Sequence, residues 1–124
     1  MALPYAPHDL VFRAACAVVH LGGIGTTARV LRAGRRALVV PWACDQSDNA
    51  ARLVRTGAPR TLGRRAYDAR RAVRELGLLL GEPKYQTDCK RIADHVQSED
   101  GVGAACAALE NCLASEQRTF EPYP

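Results

Sequence analysis

The segment Val18-Val19-His20-Leu21-Gly22-Gly23-Ile24-Gly25-Thr26-Thr27 decides how this 124-residue chain is read. An apolar run ends in a histidine, three glycines fall within four positions, and two threonines open a helical pattern. That is the pattern of a strand, a tight turn and a helix N-terminus. Glycines at such a turn let backbone approach a ligand closely, and the helix start presents unpaired N–H groups and the positive end of its dipole. A phosphate fits there. His20, at the rim, can donate a hydrogen bond to the same anion or, protonated, add a charge.

Working outward, residues 1–7 hold two prolines and read as extended, and 8–13 as a short turn of helix. The run 14–19 is strand-sized and apolar on both faces, as in a parallel sheet covered on both sides. Residues 26–33 read as a helix capped by Thr26 or Thr27, with Val30 and Leu31 inward and Gly34 closing it. A second buried strand over 37–40 ends at Pro41. A loop carrying Asp45-Gln46 leads into a helix over 47–56, with Ala50, Leu53 and Val54 inward and Gly57 ending it. Residues 60–62 make a third short strand. This order is a βαβαβ unit.

The remainder is helical. Over 67–80, Ala69, Ala72, Val73, Leu76 and Leu80 form an inward stripe, with Asp68, Arg71, Arg74 and Glu75 outside. Pro83 opens a second helix with Tyr85, Cys89, Ile92 and Val96 inward, Gly101 breaks it, and a third uses Val102, Ala105, Cys106, Leu109 and Leu113. The expected division is a unit over 1–114 and a loose tail over 115–124. The chain starts almost on a buried strand, which implies that flanking βα units of the domain are absent.

Composition narrows the classes. With 48% hydrophobic and 24% charged residues the chain is an ordinary globular domain, and no apolar run is long enough for a bilayer. The N-terminus shows no secretory pattern, so a cytoplasmic protein is expected. The charge of +4 comes from arginines at helical spacing without interleaved aromatics, which reads as solvated helix faces rather than a nucleic-acid surface. Arg29 and Arg36 belong with that surface charge. Five cysteines form no C-x-x-C pair and no zinc spacing. Cys16, Cys89, Cys106 and Cys112 fall on apolar positions and read as buried free thiols, and Cys44 has no histidine partner as a nucleophile.

One strand after the glycine turn, Asp45 and Gln46 bring acceptors and an amide to another strand end. Those groups suit sugar hydroxyls, and ligands of open α/β sheets bind at such carboxyl ends. An anion site beside a polyol site reads as a phosphorylated sugar or a nucleotide sugar. The glycine spacing matches neither the dinucleotide fingerprint nor the P-loop. Asp45 can also cap the helix that follows, whereas Gln46 has no comparable structural reason. His8, His95 and Asn49 read as structural, and Trp42 suits either the sugar pocket or packing.

The runs His20-Leu21-Gly22-Gly23-Ile24-Gly25-Thr26-Thr27, Arg32-Ala33-Gly34, Val39-Val40-Pro41 and Asp45-Gln46 with Asn49-Ala50-Ala51-Arg52, in this order, resemble the donor-binding region of family 1 glycosyltransferases. The resemblance is to the bacterial branch related to sterol, macrolide and glycopeptide glycosyltransferases and covers about 5–113. It implies a GT-B fold, in which this chain is a partial Rossmann-like C-terminal domain: a short parallel sheet of three strands followed by three helices. It further implies that His20, Gly22, Gly23, Gly25, Thr26 and Thr27 surround the donor diphosphate, and that Asp45 and Gln46 hold the transferred sugar. No metal or cofactor is implied beyond the nucleoside-diphosphate sugar as co-substrate, since the histidine and helix dipole meet the leaving charge. Leu21 stands where the branch has a second histidine, and Arg36 where proline is common. The catalytic base and the acceptor site are expected in an N-terminal domain absent here, supplied by a separate polypeptide. The implied reaction is inverting hexosyl transfer to a hydroxyl of a small lipophilic acceptor. A catalytically incompetent remnant or accessory nucleotide-sugar-binding module is the alternative. A nucleotide-binding regulator of another family is a third reading, against which Asp45-Gln46 argues.

Overall fold

The computed structural model describes residues 5–119, and the expected extended stretch over 1–4 and the tail end over 120–124 lie outside them. Three parallel strands, β1 (Ala17–His20), β2 (Arg36–Val39) and β3 (Pro59–Thr61), lie in that spatial order, with Val18 beside Ala37 and Ala37 beside Pro59. The helices are α1 (His8–Ala14), α2 (Ile24–Arg32), α3 (Gln46–Val54), α4 (Ala69–Gly81), α5 (Pro83–Ser98) and α6 (Gly101–Thr119), with a 3₁₀ turn at Arg64–Ala66. The α/β class, the three-stranded parallel sheet and the trailing helices are as expected.

The pleat of β2 explains the layering. Ala37 and Val39 point to one face, where Phe12, Val30, Ala50 and Leu53 from α1, α2 and α3 close over them. Leu38 and Val40 point to the other, against Leu62 and the fully buried Leu79 of α4. Cys89 and Ile92 of α5 cover Ala58 in a third cluster. Gly34 closes α2 at φ +63°, and a Cβ there would lie 3.2 Å from the Cβ of Ala93, so the glycine also lets α2 and α5 approach.

The structure corrects several inward assignments. In α4 the buried positions are Glu75 and Leu79, while Val73 and Leu80 are exposed, so the stripe is turned from the expected one. Glu75, expected outside, is 4% exposed and holds Arg60 of β3 and Arg74. Arg60 also donates to the Tyr85 hydroxyl at 2.7 Å, so this one carboxylate ties β3, α4 and α5 together. Burying a lone carboxylate is prohibitive, and the register of α4 that puts Leu79 in the core is possible because Arg60 arrives with it. Val54 is exposed rather than inward. Cys16, Cys106 and Cys112 are exposed and only Cys89 is buried, although the described cysteines are free as expected. Cys16 precedes β1, which starts later than expected, and the cysteines of α6 lie on a helix whose Val102, Leu109 and Leu113 are all exposed. The break before α6 falls at Glu99–Asp100 rather than at Gly101, and the expected tail is helical as far as Thr119.

Hydrogen bonds from Arg74 and then Arg60 hold the Glu75 carboxyl below its ordinary value of 4.5. Such a group contributes stability above that value and loses it as pH falls through the lower folded value. Arg60→Leu is therefore expected to cost about 2–3 kcal/mol in urea denaturation at pH 7, the scale of a hydrogen bond to a charged group, because Glu75 keeps Arg74 but loses its second partner. The gap to wild type closes in acid, and an equal gap at pH 7 and pH 3 would contradict this account.

Candidate functional site

The site is built where β1 and β2 end. Val40 N–H donates to the His20 carbonyl at 2.8 Å, so the turn after His20 leaves directly from the sheet. Gly22 then adopts φ +91°, the left-handed region, and a Cβ there would lie 2.9 Å from Val39 Cγ1 and 3.2 Å from the Gln46 carbonyl. Nothing but glycine fits between the end of β2 and the start of α3. The glycine turn and the Asp45-Gln46 loop are held in contact by that missing side chain.

Gly22 N–H donates to His20 Nδ1 at 3.1 Å. An imidazole nitrogen that accepts has no proton, so the neutral ring carries its hydrogen on Nε2. Burial acts the same way, lowering His20 below its ordinary value of 6.5. Of the two roles open from sequence, the geometry selects the neutral hydrogen-bond donor.

Helix α2 starts two residues earlier than expected. Gly23 is its N-cap, with no side-chain cap, so neither Thr26 nor Thr27 caps it. Ile24, Gly25 and Thr26 supply the first-turn N–H groups, which have no intrahelical carbonyl. A Cβ at Gly23 or Gly25 would meet nothing within 4 Å, so this backbone is open to a ligand. The contrast with α4 is direct, since there Asp68 accepts from Arg71 N–H at 2.8 Å. A cavity of about 380 Å³ is bordered by His20, Gly23, Thr26 and Gln46 with His8 and Phe12 of α1. Thr27 is 4% exposed and its hydroxyl has no partner, so it faces the interior while Thr26 borders the cavity.

The second loop is more tightly held than its sequence suggests. Gln46 Oε1 accepts from the N–H groups of Trp42 at 2.8 Å and Ala43 at 3.1 Å, and Cys44 takes φ 57° to make the bend. Gln46 therefore has a structural duty after all, with its amide NH₂ left over. Asp45 is the N-cap of α3 by position, but its side chain does not cap the helix. Instead Asp45 Oδ2 accepts from Asn49 Nδ2 at 2.8 Å, and the same nitrogen donates to the Gly22 carbonyl at 3.0 Å. Trp42 is half exposed, with the Arg64 guanidinium 3.8 Å over its ring.

Two residues read as structural thus stand at the site. Asn49 bridges its two halves, and the signal available in sequence was its i, i+4 spacing from Asp45. His8 stacks on Phe12 with ring centroids 4.7 Å apart, lies 3.4 Å from Arg29 and lines the cavity together with Phe12. His95, by contrast, pairs with Glu99 on an exposed face of α5. Among the described residues, no group of three or more His, Cys, Asp or Glu could hold a metal ion, and no helix is long and apolar enough to cross a membrane.

The chain matches the family described as erythromycin biosynthesis protein CIII-like, C-terminal domain, over residues 3–109. It is 34% identical over 127 residues to the O-mycaminosyltylonolide 6-deoxyallosyltransferase of Streptomyces fradiae, covering all of this chain and 29% of that protein. It is 32% identical over 111 residues to a sterol 3-beta-glucosyltransferase of Arabidopsis thaliana, covering 89% of this chain and 18% of that protein. Among solved structures, spinosyn rhamnosyltransferase SpnG complexed with thymidine diphosphate aligns with a TM-score of 0.77 at 27% identity, over 85% of this chain and 29% of that one. The fold is also that of spinosyn forosaminyltransferase SpnP, with a TM-score of 0.80 at 23% identity over 89% of this chain and 29% of that one. The chain thus spans less than a third of the length of these proteins.

The His20 geometry has a measurable consequence. Because folding lowers its pKa, the unfolded chain binds more protons below about pH 6.5 and stability falls as pH drops through that range. Melting temperatures of wild type and His20→Gln are expected to change differently between pH 7.5 and 5.5, the wild type losing more. Identical pH responses would contradict a partly buried, neutral His20.

Proposed function

The chain belongs to the erythromycin biosynthesis protein CIII-like C-terminal domain family, and we propose that it holds the nucleoside-diphosphate sugar of a glycosyltransferase. One observation carries this reading: the uncapped start of α2 and His20 border a single cavity, with Asp45 and Gln46 at the adjoining strand end. The N–H groups of Ile24, Gly25 and Thr26 and the Nε2–H of His20 receive the diphosphate. Gly22 and Gly23 bring backbone close, and Thr27 supports the helix from inside. Asp45 and the free amide of Gln46 take sugar hydroxyls. The three strands and the helices α1 to α5 form the donor unit.

In the proposed reaction the acceptor hydroxyl attacks the anomeric carbon from the face opposite the diphosphate, inverting that centre. As the new C–O bond forms and the bond to the diphosphate breaks, negative charge moves onto the phosphate oxygens. The fixed N–H groups and His20 meet it without rearrangement. The hydroxyl proton passes to a base on a separate N-terminal domain. The names of the relatives point to hexose-type donors and to macrolide or sterol acceptors, so a small lipophilic acceptor is proposed, in the cytoplasm.

Calorimetric titration with dTDP-glucose and UDP-glucose tests this. His20→Ala is expected to weaken binding about tenfold or more, the scale of one hydrogen bond to a charged group. Gln46→Glu keeps the oxygen that holds Trp42 and Ala43, so it should stay folded and lose only the affinity contributed by the sugar. Absence of wild-type binding, or binding indifferent to both changes, contradicts the reading. Turnover by the chain alone contradicts the assignment of the base to a separate domain.

A further inference from the structure

We infer that Asn49 is a positioning residue that couples the diphosphate half of the site to its sugar half. The inference rests on the donor-site reading above and adds to it a residue that touches neither the phosphate nor the sugar. A single side-chain nitrogen makes both contacts, to the Gly22 carbonyl at 3.0 Å and to Asp45 Oδ2 at 2.8 Å. Its two N–H groups are thereby both used.

Each end of this strut needs it. The Gly22 carbonyl belongs to a buried residue in a left-handed turn, and a buried carbonyl without a donor is costly. Gly22 N–H donates to His20 Nδ1, so the residue that Asn49 holds by its carbonyl sets, through its other peptide group, the tautomer of the phosphate donor. At the other end Asp45 is exposed, and a free carboxylate on a surface loop would sample several rotamers. Holding Oδ2 leaves Oδ1 aimed in one direction. The backbone around Asp45 is already fixed by Gln46 and by the Cys44 bend, so Asn49 sets what remains undetermined, the direction of the carboxylate. The chain of contacts His20–Gly22–Asn49–Asp45 thus spans both subsites. It fixes their spacing before a ligand arrives, which favours a ligand carrying diphosphate and sugar at that spacing over either group alone.

Asn49→Leu tests the strut with a side chain of similar size that removes both donors without adding a charge beside Asp45, and Asn49→Ala provides a second variant. Affinities for UDP and UDP-glucose, and for dTDP and dTDP-glucose, are measured on the full chain with circular dichroism as a folding control. Wild type is expected to bind the sugar conjugate more tightly than the bare diphosphate. In both variants that advantage should shrink by about tenfold, the scale of one or two hydrogen bonds, while affinity for the bare diphosphate falls by a smaller factor, because the fit of Gly22 against Val39 and the Gln46 carbonyl still holds the turn. A merely structural role would weaken both ligands equally and leave their ratio intact, and that result overturns the inference. A wild-type chain that binds none of the four probes overturns the donor-site reading, and the inference with it.

Discussion

The arrangement depends on the close approach at Gly22. Two parallel strands end side by side, and the chain leaving β1 must turn without pushing away the chain leaving β2. A hydrogen in place of a Cβ lets the turn sit against Val39 and the first carbonyl of α3. Once that contact is made, its N–H orients His20 and its carbonyl receives Asn49. The same residue that permits the turn thus organises side chains on both loops. A larger residue would separate the loops, and with them the proposed diphosphate and sugar halves of the site.

The scaffold under the site is narrow, and its stability comes from covering both faces of β2. Leu38 and Leu79 are fully buried on one face, while Val30 and Val39 lie almost fully buried on the other. Glu75 and its arginines fasten β3 to α4 and α5. Polar groups therefore do two different kinds of work here. Around Glu75 they are consumed in pairing with one another. At the start of α2 the N–H groups are left uncapped beside a cavity.

What could be read from sequence follows from the range of the interactions involved. The βαβαβ order was legible because apolar runs bounded by glycine and proline report burial locally, and α5 was legible because Tyr85, Cys89, Ile92 and Val96 keep strict helical spacing. The inward face of α4 was not, since it depends on Arg60 and Glu75 meeting across 15 positions. A carboxylate without a known partner reads as solvent-facing. The cysteines of α6 misled for the opposite reason, because an amphipathic stripe signals burial only if something covers it. At the site, the glycines and His20 were legible from spacing. The double duty of Gln46, the bridging role of Asn49 and the neutral tautomer of His20 were not. Each depends on a loop geometry that brings residues together only after Gly22 has made its turn.

The central claim is that the start of α2 and His20 receive a diphosphate. Nitrogen-15 NMR of the uniformly labelled chain, titrated with dTDP, addresses it residue by residue. The account requires the largest amide shifts at Gly22, Ile24, Gly25 and Thr26, together with a change at the ring nitrogens of His20. Shifts concentrated instead at the arginine-lined cavity of Asp68, Arg70, Arg71 and Arg74, or no shifts at all, would contradict it.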